Sequence, residues 1–296
     1  MPSVLLLAGL VAMLAGAEAA ARAVLSPSSR IQQRVTNELD GARSLRAGSG
    51  SREKSVLIAG NSLLLAGVEM DRLRSALQPD WRCQRLVIES TTYLDWLYGL
   101  RRLHREGARP NVVVLMLSTR HFLESAVRQD YFAHYLMGIE DLPAVAMATE
   151  MHPTVATGMS LAHYSLFYGI RSELRRTLLG NLFPGLERLT GLLTRRKRMA
   201  LDLEKVKPVA EERARELEQL SRSDGYRLVV VLPPAGDEDL QQPEVADLLR
   251  RQGLTVLVPV SSQDVPKTQY SDGFHLNNEG ARVFTDRLAH ELKGAL

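Results

Sequence analysis

Short apolar runs and amphipathic stretches take turns along most of this chain. "SVLIAG" (55–60), "QRLVIE" (84–89), "NVVVLMLS" (111–118), "YRLVVVLPP" (226–234) and "LTVLVPVS" (254–261) each have the length and apolar content of a strand. The third is apolar throughout, as expected of a strand covered on both faces. Helical patterns lie between and after them. Residues 67–77 place Val68, Leu73 and Leu77 on one side of a helix. Residues 93–106 and 244–253 read as two more, and 278–292 as a closing helix capped by Asn278. Strands alternating with helices predict an α/β fold: a three-layer arrangement with a parallel central sheet and helices on both faces. In such sheets ligands bind beyond the carboxyl ends of the strands. The loops after 55–60 and after 254–261 are two such places, so they can meet in space.

Two stretches break the pattern. Residues 26–54 are polar and end in Gly-Ser-rich sequence, which reads as a linker. Residues 119–225 read as a mostly helical insertion covering the strand ends. Arg171, Arg175, Arg176, Arg188, Arg195, Arg196, Lys197 and Arg198 make that insertion basic. Such a charge run serves either a solvated helix face or contact with anionic lipid headgroups.

The N-terminus changes the picture. "VLLLAGLVAMLAGA" (4–17) is an uninterrupted run of 14 apolar or small residues. That is short beside the roughly 20 residues of a membrane span and fits a signal-peptide core. Ala17-Glu18-Ala19 has the small-x-small form of a cleavage site, whereas no Lys or Arg precedes the run. Residues 1–25 therefore read as a signal peptide or an uncleaved N-terminal anchor, with a buried helix of a soluble protein as the alternative. The expectation is export, with the folded part in the periplasm or otherwise outside the cytoplasmic membrane.

Composition removes several function classes. The chain has 296 residues, 45% hydrophobic and 24% charged, as ordinary globular proteins do. A net charge of +3 without a dense basic patch interleaved with aromatics gives no reason to expect nucleic acid. One cysteine, Cys83, excludes an intramolecular disulfide and a Cys-rich zinc site. His104, His134, His152, His163 and His290 show no metal-ligand spacing with carboxylates, and no Gly-rich phosphate loop is present.

What remains is serine chemistry. Gly60-Asn61-Ser62 follows the first strand directly, so the Ser62 hydroxyl faces the ligand-binding edge of the sheet. A serine hydroxyl is a poor nucleophile without a base. "YSDGFHLNNEG" (270–280), between the last strand and the last helix, places Asp272 three residues before His275. His275 can take the serine proton while Asp272 holds its other ring nitrogen, the logic of a Ser-His-Asp triad. Each tripeptide or tetrapeptide alone is an ordinary turn; the joint placement carries the signal.

These two blocks resemble the SGNH (GDSL-type) hydrolase superfamily. "VLIAGNSLLLAGVEMDRL" is similar to its first block and "YSDGFHLNNEGARVFTDRLAHEL" to its last. The resemblance implies a flavodoxin-like fold, with Ser62 as nucleophile, His275 as base and Asp272 as its orienter. It also implies ester or acyl-transfer chemistry without a cofactor. Two further family blocks differ here. A glycine that offers its N–H to the oxyanion hole is replaced by "ESTTYLDW" (89–96), so Ser90 or Thr91 stands in its place. An asparagine that donates its side chain is replaced in "STRH" (118–121) by Arg120, with His121 beside it as a site-lining candidate along with Asn61.

The resulting expectation is an exported serine esterase or O-acyltransferase acting on acyl, chiefly acetyl, esters of a cell-envelope or secreted polysaccharide. The oxyanion would be held by the Ser62 N–H with Ser90 and Arg120. Membrane contact would come through residues 1–25 and the basic insertion. The rival expectation is a catalytically silent protein of the same fold that binds glycan or assembles an envelope complex.

Overall fold

The computed structural model describes residues 2–25, 29–46, 54–128, 131–171, 203–236 and 241–296. The chain forms two units, a smaller one from residues 1–36 and 128–198 and a larger one from 37–127 and 199–296.

The larger unit is built on five parallel strands: β1 (Lys54–Gly60), β2 (Trp81–Val87), β3 (Val112–Met116), β4 (Arg227–Val231) and β5 (Thr255–Leu257). Their order is β2-β1-β3-β4-β5, the flavodoxin-like arrangement that the resemblance implies. All five expected strands are present. β2 begins at Trp81, earlier than expected, because exposed Arg82 interrupts the apolar run that would have revealed its start. β5 is short, and Pro259 follows it closely.

Side chains on the strands alternate between two faces. Val56 and Ile58 of β1 join Val112, Val114, Met116, Val229 and Val231 in one core cluster. Leu64, Leu73, Leu77, Phe284, Leu288 and Leu292 complete it from helices Ser62–Gly67, Met70–Leu77 and Asn278–Ala295. The helix expected over 67–77 is thus two helices broken at Val68–Glu69. At the break the Glu69 N–H donates to Thr285 Oγ1 at 3.0 Å, which ties the turn to the last helix. The last helix is capped by Asn277 rather than Asn278. The Asn277 side-chain oxygen accepts from the N–H groups of Glu279 and Gly280, both at 3.1 Å.

Two expected boundaries move. The segment expected as a linker contains the helix Arg30–Arg43, which buries Val35, Leu39 and Ala42. Glu38 of this helix is buried and accepts from Arg85 Nε at 2.8 Å and from the Val87 N–H at 2.7 Å. It therefore satisfies a donor on edge strand β2, which pairs with β1 alone in the sheet. The helix Leu203–Asp224, expected inside the insertion, belongs to the larger unit and packs on β4.

The smaller unit holds the N-terminal helix Pro2–Ala20, a π-helical turn Ala21–Leu25, and helices Leu142–Ala148, Pro153–Tyr164 and Leu166–Gly169. Ser3–Ala23 is long and apolar enough to cross a membrane, with mean hydropathy 2.1 and almost all of its surface uncovered by protein. The Gln32 amide donates to the Tyr131 hydroxyl at 2.8 Å and its oxygen accepts from Tyr135, joining Arg30–Arg43 to the following helical turns. Of the basic residues singled out in the insertion, Arg171 is described. Arg175, Arg176, Arg188, Arg195, Arg196, Lys197 and Arg198 lie outside the described residues.

Candidate active site

In the order β2-β1-β3-β4-β5 the chain leaves β1 for one neighbour and later returns to its other side, so the carboxyl ends of β1 and β3 border the crevice where such sheets bind ligands. Gly60 pairs with Met116 in the register, which puts the segments after β1 and β3 side by side. Gly60 itself must be small: a Cβ there would meet the Met116 carbonyl oxygen at 2.5 Å. Ser62 leaves from one of these ends, and Ser118, Arg120 and His121 from the other.

Asn61 shapes the first turn. Its side-chain oxygen accepts from the Leu63 N–H at 3.1 Å, and its amide donates to the Thr91 carbonyl at 3.1 Å. It is fully buried, so it fixes the approach to Ser62 and ties that turn to the loop after β2. Ser62 is half-buried.

The loop 270–277 is closed on itself. An isolated antiparallel bridge joins Tyr270 and Leu276, and the Ser271 N–H donates to the His275 carbonyl at 2.8 Å. Gly273 adopts φ +84°, which lets the chain reverse between Asp272 and His275. Inside this turn one Asp272 oxygen accepts from the N–H groups of His275 at 2.7 Å and Phe274 at 3.0 Å. The other oxygen lies 2.7 Å from His275 Nδ1, and His275 Nε2 lies 2.9 Å from Ser62 Oγ. The three residues named from sequence are joined in one continuous line.

The protons follow from the charges. Burial pulls the Asp272 carboxyl upward, but the bonds from the His275 ring and from the two N–H groups outweigh it, so it sits below its ordinary value. An ionised Asp272 can only accept, so Nδ1 carries the ring proton and Nε2 is left as the acceptor for the Ser62 hydroxyl. That tautomer is the one general-base catalysis requires.

His121 sits beside this line. The Ser118 hydroxyl lies 2.7 Å from its Nδ1, and its ring centroid is 6.0 Å from that of Phe274. Burial, with the positive charge of Arg120 and the neighbouring His275, pushes its pKa down to about 4. It is therefore a neutral imidazole at ordinary pH. Arg120 lies in the short helix Thr119–Leu123, capped by the Ser118 side chain, which accepts from the His121 N–H. The geometry assigns it no bond to Ser62.

Ser90 is exposed, in the loop that Asn61 holds through Thr91. Its φ is +60°, a left-handed conformation that favours glycine. The backbone therefore keeps a glycine-type turn at the place where the resemblance implies a glycine. Thr91 is committed elsewhere: its hydroxyl donates to the Ile88 carbonyl at 2.6 Å and accepts from Trp96 Nε1 at 2.9 Å.

One supporting residue escaped sequence reasoning. Arg213, on the helix Leu203–Asp224, is buried, stacks over Tyr93 and donates to the Phe122 carbonyl and to Ser125 Oγ. It holds the segment following Arg120 and His121. Its position in a charged helical repeat hid it, since each neighbouring Arg and Glu offers the same signal. Among the described residues no group of three or more His, Cys, Asp or Glu side chains is placed to hold a metal ion.

No protein-family model matches the chain, and no curated protein matches it in sequence. Solved structures do match. TesA is 13% identical with a TM-score of 0.40, over 82% of this chain and 100% of that one. A GDSL-like lipase from Bacteroides thetaiotaomicron is 11% identical with a TM-score of 0.42, over 89% and 98%. A member of the lipolytic G-D-S-L family from Veillonella parvula is 9% identical with a TM-score of 0.39, over 82% and 100%. At these TM-scores the likeness carries no argument about chemistry, which rests on the bonds described above. The chain is thus an α/β protein with a flavodoxin-like sheet, similar to solved structures of GDSL-type lipolytic proteins.

Proposed function

We propose that this protein is a serine ester hydrolase or O-acyltransferase of the SGNH type. The observation that carries the reading is the continuous line from Asp272 through His275 to Ser62, at 2.7 and 2.9 Å. Ser62 Oγ attacks the acyl carbonyl carbon as its proton passes to His275 Nε2. The Asp272 carboxylate stabilises the imidazolium. As the tetrahedral intermediate collapses, Nε2 returns the proton to the leaving alkoxide, leaving an acyl-Ser62 ester. Water or an acceptor hydroxyl then attacks that ester, its proton going to Nε2, and Ser62 is released. Hydrolysis and transfer differ only in this acceptor. The oxyanion is met by the Ser62 N–H, the loop N–H at Ser90, and Arg120.

The substrate proposed is an acyl ester, chiefly acetyl, on a cell-envelope or secreted polysaccharide. Support comes from the apolar N-terminal helix, which fits a protein exported or anchored outside the cytoplasmic membrane, together with the sequence resemblance. The test is acetyl-ester hydrolysis by the full chain in mild detergent, next to Ser62→Ala and His275→Ala. Turnover by the wild type that both variants lose supports the reading. Equal inertness of three folded proteins overturns it.

A second reading, a silent glycan-binding or assembly protein, is favoured by one observation: Arg120 and Ser90 occupy the places of two oxyanion donors. A fluorophosphonate probe separates the readings. Labelling of the wild type at Ser62 excludes the silent protein.

A further inference from the structure

The apolar N-terminal helix ends in a side chain that the smaller unit uses. Glu18 accepts from Ser165 Oγ at 2.8 Å and from the N–H groups of Leu166 and Phe167, both at 3.1 Å. Its fourth partner, Arg22, donates at 2.7 Å from one turn further on. Leu166 and Phe167 open the helix Leu166–Gly169, whose first N–H groups have no partner within the helix. Glu18 supplies the acceptor. Ala21, in the turn that follows, is fully buried.

On the other side of Glu18 the situation reverses. Leu5, Leu6, Leu7, Val11, Met13 and Leu14 are all exposed, Leu6 to 75%. No part of the protein described covers them. As a helix, Ser3–Ala23 rises through about 30 Å, and its apolar part ahead of Glu18 through about 22 Å, most of a bilayer's hydrocarbon core. Glu18 thus stands near the boundary between a bare apolar rod and a folded unit.

We infer that this segment is a retained membrane anchor, and that Glu18 seats residues 161–171 against the phospholipid headgroups. This rests on the export reading of the N-terminus and goes beyond it in two ways. A cut at the small-x-small site Ala17-Glu18-Ala19 would remove the acceptor that caps Leu166 and Phe167, so the folded unit incorporates the residue that a signal peptidase would discard. The same bonds also fix a depth. Whatever touches Glu18 lies where the apolar rod ends, at the polar face of the bilayer. Two large apolar side chains are exposed on the turn that leads into Ser165: Leu161 to 52% and Tyr164 to 68%. Tyr168 and Arg171 follow, with the guanidinium 3.9 Å from the ring centroid. Aromatic rings and cations in this combination are what the headgroup layer of a membrane favours.

The test uses the full chain with a C-terminal tag, expressed in a Gram-negative host and fractionated. The expected species, by N-terminal sequencing and intact mass, begins at Met1 or Pro2 and sits in the membrane fraction. A chain beginning at Ala20 overturns the anchor and leaves export standing. An uncleaved chain in the cytosolic fraction overturns both. The surface is tested in phosphatidylethanolamine–phosphatidylglycerol vesicles with nitroxides on Leu161→Cys and Asp71→Cys, each in a Cys83→Ala background. Asp71 serves as the water reference, its side chain being 99% exposed. Higher oxygen and lower nickel-chelate collision rates at 161 than at 71 are expected. Equal rates at the two positions overturn the docking of 161–171.

Discussion

Gly236 faces the carbonyl oxygen of Gly273 so closely that a Cβ on Gly236 would lie 2.0 Å from it. Gly273 is the hinge of the turn between Asp272 and His275, and Gly236 holds φ +60° in the loop after β4. The loop after β4 thus braces the turn that carries the base. Gly236→Ala is expected to cost about 2 kcal/mol or more, from backbone strain and the forced displacement of Gly273. Displacement of the turn by about 1 Å would lower kcat by roughly 10²-fold. Urea unfolding and ester turnover on the same preparation check both effects.

In the proposed mechanism Asp272 orients His275 without taking the proton. Asp272→Asn keeps the shape but offers an amide, which leaves Nδ1 free to accept and puts the ring proton on Nε2, against Ser62. A fall in kcat of about 10⁴ is expected, with KM nearly unchanged, as for the corresponding change in serine proteases. Ser62→Ala and His275→Ala should lose at least as much. Burst kinetics with an aryl acetate would show an acyl-enzyme in the wild type only.

Ser90 is held in a conformation that favours glycine. Ser90→Gly should relieve that strain, partly offset by greater freedom of the unfolded chain, for a net gain of about 0.5–1 kcal/mol. Ser90→Val should destabilise by a similar amount or more. The midpoint of urea unfolding reads both directly. Activity should survive the glycine change, because the loop N–H, not the side chain, is the proposed donor.

Arg120 is proposed to meet the oxyanion with its side chain. Arg120→Ala should lower kcat by about 10²–10³ while leaving folding intact. Arg120→Asn should recover part of that loss, since an amide can donate from the same short helix. If kcat is unmoved by either change, the oxyanion is held by backbone groups alone.

His121 makes stability depend on pH. Its folded pKa, about 4, lies below its ordinary value of 6.5, so the unfolded chain takes up its proton first as pH falls. The contribution is whole above pH 6.5 and is lost progressively down to about pH 4. Its span is on the order of 3 kcal/mol. Asp272 works in the same direction at lower pH: its depressed carboxyl favours the fold above the ordinary carboxylate range, and that is lost on protonation. His121→Gln should flatten the stability slope between pH 4 and 6.5 and leave the acid-side loss in place. Denaturant titrations at half-unit pH intervals measure both.

The middle of the sheet was legible because β3 and nearly all of β4 are buried, so Val112–Met116 and residues 228–231 stand out as apolar blocks. The Ser62, Asp272 and His275 positions were legible because each sits where a strand hands over to a helix. Arg30–Arg43 was read as linker although Ile31, Val35, Leu39 and Ala42 recur at helical spacing. The polar residues between them, Glu38 included, suggested solvent, yet Glu38 is buried against the β2 backbone. The role of Asn61 was hidden for a different reason: the Thr91 carbonyl it binds is thirty residues away in sequence. Ser90 carried no signal at all, because a serine does not announce a left-handed backbone.

Ser62 and His275 lie 213 residues apart, the first just after β1 and the second just ahead of the helix Asn278–Ala295. A ribosome building this chain makes Ser62 long before His275. Until the segment 270–295 has emerged and docked, the serine has no acceptor for its proton. On the proposed mechanism the growing polypeptide is therefore inert toward esters until that segment has docked. Together with the proposed export, that delay would keep the proposed chemistry out of the compartment where the chain is made.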